Sequence, residues 1–181
     1  MGKVLFILGG SASGKSTICN KLVEETSFKP IISHTSRPIR EGEEEGVSYY
    51  YINKKEFLKE ILKGNMIEFS IYNNWFYGIH NNSINSDFDY IMVIEPKGYR
   101  KLKKKCPNNM SIYIDVNDKK KLLRSLEREE NPDCKEICRR FISDKQLFKG
   151  IEEEVDYVIE NNGDLDNTIK NIKKLISERW N

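Results

Sequence analysis

The sequence predicts an α/β fold: a parallel sheet covered by helices, with one small lobe inserted into it. Three observations carry this. Continuous apolar runs ("KVLFIL", "YIMVIE", "SIYIDV") have the pattern of strands buried on both faces, which parallel sheets require. Helical patterns follow these runs in alternation, the signature of helices packed on a parallel sheet. The segment from Ser33 to Asn85 breaks that rhythm with short strands and a hairpin signal, so it is an insertion into the α/β core.

Element by element, "KVLFIL" is the first strand, and a helix runs from the glycine loop to about Glu25. "VSYYYI" is a strand. Asn53 then offers an N-cap with Glu56 three residues on. Phe57, Leu58, Ile61 and Leu62 form an apolar stripe, and Gly64 ends the helix. "MIEFSIY" and "WFYGI" flank Asn73-Asn74 as a hairpin or sharp bend. After "YIMVIE" comes a lysine-rich helix, then "SIYIDV". Lys119–Glu130 is helical, and Asn131-Pro132 opens a further helix to about Lys149 as N-cap and first-turn proline. "VDYVIE" is the last strand, and Leu165, Ile169, Ile172 and Ile176 line one face of a terminal helix.

The chain has 181 residues, enough for one domain with a sizeable core. Its net charge of +2 excludes the strong basic imbalance of a general nucleic-acid binder. No apolar run approaches the roughly 20 residues of a membrane span. The apolar start "MGKVLFILGG" lacks a basic n-region and a small-residue cleavage site, so it reads as a buried strand and not a signal peptide. Cys19, Cys106, Cys134 and Cys138 form no CxxC pair, which favours reduced structural thiols in a cytoplasmic protein over a metal site.

"GGSASGKST" (Gly9, Gly10, Ser11, Ala12, Ser13, Gly14, Lys15, Ser16, Thr17) fits G-x-x-x-x-G-K-[ST] between a strand and a helix. The glycines let successive backbone N–H groups point at phosphate oxygens, and the following helix adds its positive end. Lys15 is expected on the β- and γ-phosphates, and the Ser16 hydroxyl on Mg²⁺. The loop therefore predicts a nucleoside-triphosphate site for ATP.

A second anion grip is written in "ISHTSRPIREGEEEGVSYYYI", where Arg37 and Arg40 stand three apart ahead of three tyrosines. Guanidinium forks make bidentate bonds to phosphate that lysine does not reproduce. With "MIEFSIYNNWFYG" and the late "VDYVIEN", the chain resembles the guanylate kinase family from Lys3 to about Ile176. That resemblance implies a P-loop core of residues 1–32, 86–121 and 150–181, a GMP-binding lobe of 33–85 and a helical lid of 122–149. It implies ATP and GMP as substrates, with Arg37, Arg40, Tyr49 and Tyr77 on the GMP phosphate, and Ser33, Glu68 and Gly78 around the base. An ionised carboxylate at Glu68 accepts from both N1–H and N2–H₂ of guanine, whereas adenine would turn an unprotonated N1 toward it. On the lid, Arg124 and Arg128 match an R-x-x-x-R element. Arg139 keeps the family spacing from Arg128, while Arg140 better keeps the spacing to the apolar positions.

Two departures from the family pattern stand out. Ile79 occupies a position where a Ser or Thr hydroxyl usually helps to hold the base. Val93 and Glu95 replace an aspartate-x-aspartate pair, leaving Glu95 as the one acid on the metal or acceptor side. The leading expectation is ATP:GMP phosphotransfer. A related kinase with another nucleotide or a phosphorylated sugar as acceptor is the first alternative. An inactive, phosphopeptide-binding module is the second, and the intact Gly14-Lys15-Ser16 argues against it. The oligomeric state is left open by the sequence.

Overall fold

Two sheets, one of five strands and one of four, organise the chain. The computed structural model describes residues 2–72, 74–84, 87–128 and 130–180. The first half comprises β1 (Val4–Leu8), α1 (Lys15–Glu25), β2 (Lys29–Pro30), β3 (His34–Thr35), β4 (Tyr50–Tyr51), α2 (Lys54–Leu62), β5 (Met66–Tyr72) and β6 (Trp75–His80). The second half comprises β7 (Tyr90–Val93), α3 (Pro96–Leu102), β8 (Asn109–Asp115), α4 (Asp118–Glu127), α5 (Cys134–Leu147), β9 (Tyr157–Glu160) and α6 (Leu165–Trp180).

The larger sheet has the order β2-β7-β1-β8-β9, and its strand pairs are parallel. Its central strand β1 is buried at every residue, as the apolar run requires. Successive side chains of a strand point to opposite faces, so β1 feeds two cores. Phe6 and Leu8 join Met92, Tyr99 and Leu102 on one side. Leu5 and Ile7 join Ile18, Leu22, Ile112 and Ile172 on the other. The α/β class and the inserted smaller sheet both follow the sequence expectation.

The smaller sheet has the order β4-β3-β6-β5, with β5 and β6 antiparallel and β3 and β4 parallel. In the β5–β6 turn Asn74 adopts φ 64°, a left-handed conformation that asparagine tolerates better than most residues. Its neighbour Asn73 and the expected lobe boundary at Asn85 and Ser86 lie outside the described residues. The capping box at Asn53 and Glu56 is present, and Gly64 ends α2 with φ +71°. Of the apolar stripe, Phe57 is the buried member, stacked on Phe76 at 5.3 Å between ring centroids. Leu58 and Leu62 are exposed, because α2 covers mainly β6 and its outer face meets no second layer.

One helix start differs from the expectation. The N-cap of α5 is Asp133, whose carboxylate accepts from Glu136 N–H, and not Asn131. Both satisfy the N-cap preference, but only Asp133 places an acid in the first turn at the third position, so the helix begins at Cys134.

Candidate active site

The phosphate loop leaves β1 and turns into α1 at Gly14, which caps that helix with φ 88°. A side chain there is excluded twice, by the left-handed backbone and by Asn161, whose Nδ2 would stand 2.7 Å from an added Cβ. Asn161 Nδ2 donates to Ser13 O at 2.9 Å, tying the loop to the residue that follows β9. Ala12 holds φ 57° without being glycine, a strained conformation at the crest of the loop. Lys15 is folded back, its Nζ donating to Gly10 O at 2.7 Å. Burial lowers its pKa to about 8, against the opposing pull of Asp144 and Glu95. Ser16 and Thr17, in the first turn of α1, are exposed.

Across the crevice, Arg37 is buried and forked by Glu43. Nη1 donates to Oε2 at 2.9 Å and Nη2 to Oε1 at 2.8 Å, while Nη1 also reaches Pro38 O. Glu43 further accepts from Arg40 N–H and from Tyr51 O–H. Burial alone would raise the Glu43 carboxyl, but Arg37 and these donors outweigh it and hold it below the ordinary range. For Arg37 the balance likewise favours charge, the Glu43 bonds overcoming desolvation. The acid run Glu43–Glu45 thus contains the residue that fixes Arg37. Arg37 Nε is buried and meets no partner among the described residues, so one donor remains for a ligand.

Tyr49 and Tyr77 face each other edge to face at 5.9 Å, and the Arg37 guanidinium lies 5.4 Å from the Tyr49 ring centre. Burial pushes the Tyr49 hydroxyl up to about 12 and raises that of Tyr77, so both stay protonated donors. Arg40 is exposed at the rim, and Arg37 and Arg140 both depress its pKa after burial. The four phosphate-side candidates are therefore brought together.

Glu68, in β5, is buried and opposes Ile79 of β6. Gly98 permits its approach, since a Cβ there would sit 3.1 Å from Glu68 Oε2. Burial raises the Glu68 pKa, and Lys101, with Nζ 3.4 Å from Oε1, opposes that shift. Ile79 packs into the core with Met92, Ile94 and Tyr99 and brings no hydroxyl to the side of Glu68. Ser33 directly precedes β3, and its carbonyl accepts from Tyr50 N–H at 2.9 Å. Gly78 serves packing: an added Cβ would meet Glu68 O at 2.8 Å and Phe57 Cζ at 2.9 Å.

Glu95 caps α3 at the carboxyl end of β7, where ligands bind in parallel sheets. Burial, then Asp144, push its pKa up to about 7, with Lys15 opposing and Glu68 adding to the rise. One carboxyl thus feels both Lys15 of the phosphate loop and Glu68 of the small sheet. Arg124, in α4, donates from Nη2 to Asn161 O at 3.0 Å, beside the phosphate loop. Arg128, the C-cap of α4, is exposed. Arg139, which keeps the family spacing from Arg128, is exposed. It lies on the outer face of α5 in a two-point pair with Glu136. Its neighbour Arg140 instead lines a cavity of about 430 Å³ with Gly10, Ser11, Asp115, Phe141 and Asp144. Arg140 also reaches Glu136, with Nε 3.5 Å from Oε1, and residues adjacent on a helix face directions about 100° apart, so the two arginines meet different surroundings.

Glu43, Asn161, Lys101 and Asp144 escape sequence reasoning. Asn161 carried a usable signal, its place just after the last buried strand. The other three are single charged residues in polar surroundings, and only tertiary contact distinguishes them.

A family model described as guanylate kinase matches residues 1–179. The chain is 32% identical to the guanylate kinase of Clostridioides difficile (strain 630), over 99% of this chain and 89% of that protein. It is 31% identical to the guanylate kinase of Vibrio cholerae serotype O1, over 97% and 88%. The crystal structure of guanylate kinase from Anaplasma phagocytophilum is similar with a TM-score of 0.76 at 25% identity, covering 99% of this chain and 87% of that one.

Proposed function

Because the chain belongs to the guanylate kinase family, we propose that it transfers the γ-phosphoryl group of ATP to GMP, giving ADP and GDP. The observation that carries this reading is Glu95 at the carboxyl end of β7, whose pKa is influenced by both Lys15 of the phosphate loop and Glu68 of the small sheet. A triphosphate on the loop and a base on Glu68 would then share one reaction space.

Phosphoryl transfer needs two polyanions held in line and their developing charge neutralised. The loop N–H groups and Lys15 would hold the ATP phosphates, with Arg124 and Arg140 supplying charge from the lid side. Arg37, oriented by Glu43, would grip the GMP phosphate together with Arg40, Tyr49 and Tyr77. Glu68 would accept from guanine N1–H and N2–H₂, with Ser33 beside it. Closure of residues 33–85 and 122–149 over the core would exclude water.

The residues fit Mg²⁺. Ser16 offers an exposed hydroxyl and Glu95 a carboxyl, both hard oxygen donors. Among the described residues no three metal-ligating side chains cluster, which suits an ion bound mainly by phosphates and water. Ser16 and Glu95 would hold Mg²⁺, which would supply neutralisation of the triphosphate charge. Among the described residues no helix is long and apolar enough to cross a membrane. We place the protein with the cytoplasmic nucleotide pool.

Arg40→Ala separates the two sites. The GMP dissociation constant should rise about tenfold or more with the loss of one charge-assisted phosphate contact, while that of ATP stays nearly unchanged. Calorimetric titration with each nucleotide checks this. Equal losses at both sites would show that the acceptor phosphate is held elsewhere.

A further inference from the structure

One carboxylate joins three parts of this protein. Asp144, in α5, accepts from Ser11 N–H at 2.5 Å through Oδ2 and from Tyr72 O–H at 2.8 Å through Oδ1. Ser11 belongs to the phosphate loop on the large sheet, whereas Tyr72 ends β5 in the small sheet. The two donors use different oxygens, so neither bond competes with the other, and both are charge-assisted. The contact is close-fitting, for a Cβ on Gly10 would come 3.4 Å from Asp144 Oδ2. Ser11 also precedes the residues that open α1, so its bond to Asp144 leaves the N–H groups at the helix start free for phosphate.

We propose that Asp144 is a positioning residue that couples closure of the lid helix α5 to closure of the small sheet, so that a nucleotide bound on either side tightens the other. If the small sheet swings out, Tyr72 leaves and one carboxylate oxygen loses its donor. If α5 swings out, both bonds break together. A partly buried carboxylate with half its donors is costly, so each closed element favours the other. Two sites that bias one two-position element are coupled, and the coupling is reciprocal. This rests on the phosphotransferase reading only for the identity of the two ligands.

Hydrogen exchange on the nucleotide-free protein tests the link without substrates. Tyr72→Phe should raise exchange in α5, and Asp144→Ala should raise it in β5 and β6, each about tenfold. The double variant should add little to Asp144→Ala, since that change already removes the bond to Tyr72. Effects confined to the substituted element would overturn the proposal. Alanine favours helix, and Tyr72→Phe removes one oxygen, so the second variant decides if the first fails to fold. The ATP dissociation constant, measured with and without saturating GMP, supplies the second arm. GMP should tighten ATP binding in the unaltered protein. Either single variant should lose about tenfold of that tightening, and Tyr72→Phe, which leaves the Asp144–Ser11 bond in place, should change ATP alone by less than about twofold. Additive losses, or equal weakening of ATP alone, would overturn the coupling. No GMP binding by the unaltered protein would count against the guanylate reading, and the exchange result would still decide the inference.

Discussion

Lys15→Met should leave the protein folded and lower kcat by about 10³-fold or more. The ammonium is buried, and its nearest bond is to a backbone carbonyl, Gly10 O. It is thus already desolvated, and on the proposed function it meets the phosphate charge as that develops, the condition under which one charge is worth most. Methionine keeps the length and apolar body of the side chain, so the loop and the core beneath it lose little packing. Single-turnover rates with a bound-ATP control check this. A loss confined to ATP affinity, with the transfer rate intact, would show that Lys15 anchors the nucleotide without assisting transfer.

Glu68→Gln should cost GMP about 100-fold in kcat/KM and narrow the preference for guanine over other bases. Glutamine replaces one acceptor oxygen by an NH₂ donor. Guanine presents donors at both positions, so the exchange loses one bond and sets two donors against each other. The pH profile adds a second signature. Burial raises the Glu68 pKa, so its carboxylate is protonated at higher pH than an ordinary glutamate. GMP binding should therefore weaken as pH falls through that raised pKa, and the glutamine variant should lack this limb. Unchanged base preference and an unchanged acid limb would remove Glu68 from base recognition.

The fold was legible because apolar runs and capping residues act locally. β1 is buried along its whole length, and the Asn53–Glu56 box starts α2 where the sequence places it. The phosphate loop was equally legible, since its backbone geometry demands glycine at Gly14. What the sequence left open depends on contacts between distant elements. Arg139 and Arg140 are chemically identical neighbours, and only the packing of α5 turns Arg140 inward. Glu43 sits in an acidic run that resembles a solvated turn, yet three bonds to Arg37 and Arg40 bury its carboxylate. Asp144 meets donors 72 and 133 residues away, a relation that no local pattern encodes. Ile79 was visible as a departure, and its burial with Met92 and Tyr99 explains why an apolar residue is stable there.

On the proposed function, the phosphate loop takes ATP and the small sheet takes a guanine nucleotide. Coupled ADP release, with ATP, Mg²⁺ and GMP, dGMP, AMP, CMP or UMP as acceptors in parallel, tests it most directly. Turnover with GMP should be rapid, and kcat/KM for AMP, CMP and UMP lower by about 10⁴-fold, because each leaves the buried Glu68 carboxylate without its paired donors. Comparable turnover with all acceptors, or ADP release that no acceptor stimulates, would contradict it.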